Sequence, residues 1–380
     1  AMASVSPCAE ISPRARHRRR RGFAVLAFLA GGAPRSPSYG AAGLTLPYVE
    51  RPTRLGQSEL YSPIPLGLGT WSWGNKLLWG YDESQDASIA ATWRAAVDGG
   101  VVFFDTGDSY GTGRLEGRAE TLLGACRASS PKQNKRLIYG TKLAAYPWRL
   151  TPDAFVAALR ASLERFGTSK IEVAQAHWSA RNYFPPQDRA ILEGLARCYE
   201  AGLCDAVGLS NFGPVALREA AAFFGDRGVP IALCQVQFSL LSTQPEDTGL
   251  LDVCRELGVT PVAYSPLALG ALAVAGNDDH SQRPAGPRGF LFDQVLPGAT
   301  ALTGVIRDVA RERGKTPAQV CLNWTIKKGC LPIVGARTPA RVRENLGACG
   351  WRLSDAEVAA LDAAAKRVTK KATQNIFMTE

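Results

Sequence analysis

From Thr53 onward the sequence predicts one α/β domain, a (β/α)8 TIM barrel with a β-hairpin before it and a helix and tail after it. Three observations predict this. Short β-branched or apolar runs alternate with amphipathic stretches of roughly 10–15 residues, the pattern of parallel strands covered by helices. Eight such units occur, and eight units close naturally into a barrel of about 250 residues. Polar side chains of unlike chemistry end successive apolar runs, and such barrels carry their chemistry at those strand ends.

The elements follow in order. "TRLGQSELYSPIP" at 53–65 reads as the hairpin. The eight strands are expected at 66–70, 101–105, 136–142, 171–177, 204–209, 231–235, 259–264 and 331–334. Helices are expected after the first six, at 84–98, 115–126, 152–166, 187–201, 214–224 and 248–257. After the seventh strand a long loop, 268–297, precedes a helix at 300–313, and a helix at 339–348 follows the eighth. Helix starts carry caps. Thr151 stands before Pro152, an N-cap with proline at the first helical position. Ser354 stands three residues before Glu357, a capping box that opens the terminal helix.

An open doubly wound sheet is the rival fold, and it needs a glycine fingerprint after its first strand. "GLGTWSWG" has Gly67 and Gly69 but Ser72 where the third glycine belongs. "RGKTP" at 313–317 resembles the end of a phosphate loop, yet Val309 stands where the loop's first glycine is required, and the segment looks helical. No repeat of fixed spacing appears.

The net charge of +10 is unevenly placed. Residues 1–54 hold nine arginines and two acids, and the remainder holds 35 basic against 32 acidic side chains. The basicity therefore does not point to nucleic-acid binding. "RHRRRRGFAVLAFLAGG" sets Arg18 to Arg21 before an apolar run from Phe23 to Ala30, too short to span a bilayer. No acid follows until Glu50. A signal-like piece and then an acid-poor, transit-like piece suit a plastid leader over residues 1–52; a basic extension on a cytoplasmic protein is the alternative. No membrane association is expected of the mature form, and the oligomeric state is left open. The nine cysteines are scattered without a C-x-x-C, which predicts free thiols, and three histidines are too few for a multi-histidine metal site. No metal is expected.

The strand ends supply Asp105, Lys142 and His177, and Tyr110 lies in the glycine-rich loop five residues past the aspartate. Ser210, Asn211, Gln235, Tyr264 and Ser265 end the later strands. Each alone has an ordinary structural explanation. Together they suit proton donation to a carbonyl oxygen. A phenol is a slow acid near pH 7 until an ammonium beside it favours the phenolate. The buried ammonium needs Asp105, and His177 can orient the oxygen. A hydride must then reach carbon from a cofactor.

These residues resemble the aldo-keto reductase family. "FDTGDSYG", "GTK" and "AQAHW" look like its catalytic segments; "VGLSNFG", "CQVQFSLL", "AYSPLALG" and "PIVGARTPARVRENLGA" look like its cofactor segments, in family order from Thr53 to the end. The resemblance implies Tyr110 as proton donor, Lys142 as its modulator, Asp105 as partner of Lys142, and His177 as the group that orients the carbonyl. It implies NADPH, with Ser210, Asn211 and Gln235 on the carboxamide and Tyr264 against the nicotinamide ring. Ser265 and Leu267 would meet the pyrophosphate, Gly335, Arg337 and Arg341 the 2′-phosphate, and Glu344 and Asn345 the adenine. "GNKLLWGY", "DSYGTGRLEG", "LFDQVLPG" and the terminal "QNIF" narrow the resemblance to a plastid branch that reduces pyridoxal to pyridoxine. Other aldehydes or ketones, or a cofactor-binding regulatory subunit, are the alternatives.

Three positions depart from the family pattern: Gly107 and Gly140 where alanine is usual, and Val334 where proline is common. Trp71, Trp73, Trp79, Tyr81, Trp148 and Trp178 are candidates for an aromatic substrate wall, with core packing the competing explanation for each. Arg288, in the long loop, is expected near the pyrophosphate.

Overall fold

The computed structural model describes residues 52–132, 134–274, 284, 286–369 and 376–380. The expected leader lies outside the described residues, apart from Pro52. The hairpin is present as β1 (Thr53–Arg54) and β2 (Tyr61–Ser62), paired antiparallel. Eight strands follow: β3 (Gly67–Gly69), β4 (Phe103–Asp105), β5 (Ile138–Leu143), β6 (Ile171–Ala176), β7 (Cys204–Ser210), β8 (Ile231–Gln237), β9 (Thr260–Tyr264) and β10 (Leu331–Gly335). They pair in chain order, all parallel, and β10 closes onto β3. The predicted barrel is the observed one.

Strand parity explains the two cores. Alternate residues of a strand face opposite ways. Phe103, Ile138, Val173, Ala206, Leu233, Val262 and Ile333 point into the barrel and fill it with Leu55 of the hairpin. Their neighbours point outward to the helices: Phe104 stacks on Tyr139 at 5.7 Å, and Tyr139 meets Phe166 at 5.9 Å. Each large side chain so buried stabilises the fold by roughly 1.5–3 kcal/mol.

The hairpin closes the floor of the barrel. Gly56 donates its N–H to the Thr260 hydroxyl at 2.8 Å, and Gln57 donates to the Ile231 carbonyl at 3.0 Å. Gly56 has φ +55°, and a Cβ there would lie 2.3 Å from the Ala232 carbonyl oxygen. Glycine is required on both counts.

Helices stand near the expected places, with Pro152–Phe166 and Thr300–Arg313 at the expected bounds. Both caps read from the sequence are formed, by Thr151 and by Ser354 with Glu357. Two expectations are corrected. The segment 268–297 is not one loop: it contains helices Ala271–Val274 and Pro287–Val295. A further helix, Pro317–Lys327, precedes β10. Its Thr316 and Gln319 form a capping box, which explains why "GKTP" starts a helix rather than a phosphate loop. Trp324 of this helix stacks on Phe238 at 4.9 Å and anchors a second hydrophobic cluster under the terminal helix Asp355–Lys366. The eight described cysteines are free and buried.

Candidate active site

The C-terminal ends of the strands open onto one cavity of about 1040 Å³. Asp105, Tyr110 and His177 line its floor. Lys142 lies behind them, fully buried on β5. Its ammonium donates to Asp105 Oδ2 at 2.5 Å, to the Thr106 carbonyl at 2.9 Å and to the Tyr110 hydroxyl at 3.0 Å. The structure thus gathers the four residues that the sequence singles out.

The loop after β4 is fastened at several points. The Tyr110 N–H donates to the Gly107 carbonyl at 3.0 Å, and the Asp108 N–H donates to the Lys142 carbonyl at 2.9 Å. The Asp108 carboxylate accepts from the Ala144 N–H at 3.2 Å and from Arg149 at 2.5 Å. A Cβ at Gly107 would lie 3.2 Å from the Tyr110 ring, so the missing methyl lets the phenol lie against this turn. The structure therefore gives Gly107 a packing role.

Electrostatics refine the expectation for the phenol. Burial pushes the Tyr110 hydroxyl above its ordinary range, and Lys142 opposes that rise without reversing it. Tyr110 is therefore held protonated, as a donor must be before it acts. Burial works to discharge Lys142, but Asp105 and Tyr110 outweigh it and hold the ammonium above its ordinary value. Burial, then Lys142 and Arg149, hold His177 well below its ordinary value, so it is a neutral imidazole. Its Nδ1 lies 3.3 Å from the Ser109 hydroxyl, and its ring meets Tyr110 edge-on at 5.6 Å.

The expected carboxamide contacts are partly committed within the protein. The Asn211 side-chain NH2 donates to the His177 carbonyl at 3.1 Å and the Ser210 hydroxyl at 3.2 Å, and its oxygen accepts from Tyr264 at 2.9 Å. The Gln235 NH2 donates to Asp105 Oδ1 at 2.8 Å and to Gln175 Oε1 at 3.2 Å. Both amides have spent their two N–H groups, so only carbonyl oxygens remain to meet a ligand's amide. Asn211 and Ser265 both adopt the left-handed region, φ 62° and 50°, which turns the chain sharply at these strand ends.

Leu267, Gly335, Arg337, Arg341, Glu344 and Asn345 line the far arm of the cavity with Arg288. Arg341 is paired with Glu344 at 2.6 Å. Arg288 and Arg337 form no ion pair among the described residues. Arg288 lies over Trp79 with 3.9 Å to the ring centre, donates to the Leu269 carbonyl at 2.8 Å, and leaves its buried Nε without a partner. Arg337 donates to the Trp79 carbonyl at 2.5 Å. Burial lowers the pKa of both guanidiniums, and Arg337 adds to the effect at Arg288. Two half-buried cations, neither paired with a described acid, are a fitting seat for phosphate groups.

Only part of the expected aromatic wall forms. Trp71 and Trp79 line the cavity and meet edge-on at 6.2 Å. Trp73 is fully buried, and its indole donates to the Ala336 carbonyl at 2.9 Å. Tyr81 is buried too and donates to Asp86 at 2.6 Å. Trp148 is 71% exposed and stacks on Tyr146. Trp178 stacks on Phe377 of the C-terminal segment at 4.6 Å, beside His177 rather than on the cavity lining. Sequence reasoning missed Gln175, Ser109, Arg149 and Phe377. Gln175 was legible by parity, since it shares its face with His177 two residues on.

The barrel, the buried Asp105–Lys142–Tyr110 cluster and the neighbouring imidazole define a carbonyl oxidoreductase. The chain belongs to the aldo/keto reductase family, whose profile matches residues 65–366. It is 46% identical over 322 residues to the chloroplastic pyridoxal reductase of Arabidopsis thaliana, covering 84% of this chain and 87% of that one. It is 29% identical to the Schizosaccharomyces pombe aldo-keto reductase yakc [NADP(+)], over 73% of this chain and 82% of that one. Among solved structures it resembles a thermostable aldo-keto reductase bound to the inhibitor epalrestat, with TM-score 0.65, 26% identity, and 83% and 99% of the two chains covered.

Proposed function

We propose that this protein reduces pyridoxal to pyridoxine with NADPH. The observation that carries the chemistry is the Tyr110 hydroxyl held 3.0 Å from a Lys142 ammonium that is itself bound to Asp105. Tyr110 and the neutral His177 both face the cavity, where they would bind and polarise a carbonyl oxygen. NADPH would supply the hydride for the carbonyl carbon. Tyr110 would give its proton to the oxygen, and the phenolate left behind would lie against Lys142. Arg288 and Arg337 are the side chains suited to the cofactor's phosphates, and Tyr264 to its ring.

Pyridoxal is favoured by the 46% identity to a protein named for that reaction, and by the Trp71 ring on the cavity wall. A planar heterocycle stacks on such walls. We further propose that residues 1–52 are a plastid leader ahead of a barrel domain spanning 53–380; fusion of the leader to a fluorescent protein tests this by where the signal goes. The activity is tested by loss of NADPH absorbance with pyridoxal and with a panel of simple aldehydes. A higher kcat/KM for any simple aldehyde than for pyridoxal overturns the substrate assignment.

A further inference from the structure

The centre of the barrel holds a buried glutamine that the proposed reaction does not use directly. Gln175, on β6, is fully buried, and its Nε2 donates to Asp105 Oδ1 at 3.1 Å. Its Oε1 accepts from Gln235 Nε2 at 3.2 Å, and Gln235 donates to the same Asp105 oxygen at 2.8 Å. Asp105 thus has one oxygen bound by two amides and the other bound by Lys142 at 2.5 Å. A carboxylate with its two oxygens so divided cannot rotate without breaking charge-assisted bonds.

Two glycines clear the slot for this side chain. A Cβ at Gly140 on β5 would lie 2.9 Å from Gln175 Nε2, and a Cβ at Gly208 on β7 would lie 2.7 Å from its Cγ. The strands on both sides of β6 therefore lack side chains at the places where Gln175 passes. Gly140 is one of the three departures from the family pattern, and this gives it a physical reason.

We infer that Gln175 is a positioning residue that locks Asp105 against Lys142, in a slot opened by Gly140 and Gly208, and links Gln235 on the cofactor side of the cavity to the proton donor. The inference rests on the assignment of Tyr110 as that donor. The titratable and charged groups around Lys142 are Asp105 from β4, Tyr110 and Asp108 from the loop after it, His177 at the end of β6, and Arg149 beyond His177. Without Gln175, that Asp105 oxygen is held by Gln235 alone, and Gln235 loses the Oε1 that orients it, so Asp105 can turn away from Lys142. The ammonium then loses its proton at lower pH, and from that pH upward the phenolate formed in turnover lies against a neutral amine.

The test uses the full chain with NADPH and pyridoxal and compares Gln175→Leu, Gly140→Ala, the double variant and Tyr110→Phe. In Gln175→Leu, kcat is expected to fall about tenfold, the loss typical of one charge-assisted hydrogen bond. KM for pyridoxal is expected to hold, and the basic limb of the kcat/KM profile to move to lower pH. Gly140→Ala keeps the glutamine but presses on its Nε2, so it should shift the limb the same way. In the double variant the alanine should add nothing, because the atom it displaces is gone. A parental pH limb in Gln175→Leu, or full additivity in the double variant, overturns the inference. If Gln175→Leu does not fold, a parental limb in Gly140→Ala overturns it. Retained activity in Tyr110→Phe instead overturns the proposed reaction itself.

Discussion

The Tyr110 hydroxyl and the buried Lys142 ammonium lie 3.0 Å apart, and the same ammonium sits 4.8 Å from the centre of the Tyr110 ring. The cation is thus placed to stabilise negative charge on the phenol oxygen once a proton has left. Tyr110→Phe keeps the ring and removes the proton. Turnover is expected to fall by about a hundred- to ten-thousand-fold, the usual worth of a positioned acid. NADPH binding, followed by fluorescence quenching, is expected to survive.

Lys142→Met should be costly to the fold as well as to the rate. It leaves Asp105 buried with no cation, and breaking one side of a buried pair destabilises by about 3–5 kcal/mol. Urea denaturation reads the loss. Adding Asp105→Asn should recover part of the stability and none of the activity, because the second change removes the stranded charge.

His177 sets an acid-side signature. Its pKa in the fold is held well below the ordinary value, so between that value and about 6.5 the unfolded chain binds a proton that the folded one does not. Stability is therefore whole above about pH 6.5 and falls as pH drops toward the folded pKa. His177→Phe should flatten this part of the stability–pH curve, measured as urea midpoints across pH.

Arg288 and Arg337 should govern the cofactor's phosphates. Arg288→Ala or Arg337→Ala is expected to weaken NADPH binding roughly tenfold or more, as loss of a charge-assisted contact does, and the loss should shrink at high salt. Arg341→Ala should cost less, since that guanidinium is already neutralised by Glu344. Titration of NADPH and NADH against each variant shows which arginine reads the extra phosphate.

The C-terminal segment depends on one glycine. Gly213 donates its N–H to the Thr379 hydroxyl at 2.9 Å, and a Cβ there would lie 2.1 Å from the Thr379 carbonyl oxygen. Gly213→Val should lift this segment and separate Phe377 from Trp178. The expected outcome is a changed Trp fluorescence and a higher KM for pyridoxal, with NADPH binding intact.

Much of this was legible in the sequence, for physical reasons. The alternation of short apolar runs with amphipathic stretches marked the eight strands, and Thr151 and Ser354 marked their helices by capping chemistry. What escaped was set by tertiary contact. Trp73 and Trp71 look alike in a string, but only the backbone path puts one under β10 and the other on the cavity. The fate of the Asn211 and Gln235 amides was hidden because most of their hydrogen-bond partners lie 34 to 130 residues away and leave no local pattern. Helix 287–295 was missed because Pro287 and Gly289 argue for a loop, whereas burial of Phe292 and Val295 favours the helix.

The buried thiols have a consequence for a protein whose proposed substrate is an electrophile. Aldehydes add to thiolates. None of the eight described cysteines is at the surface, and burial raises Cys126 to about 11 and Cys198 and Cys349 to about 12. Lys142, behind the floor of the cavity, is kept as an ammonium with no lone pair to offer. Around its proposed acceptor the barrel presents one acid, one neutral ring and aromatic walls, and withholds the nucleophiles that would turn a substrate into a covalent poison.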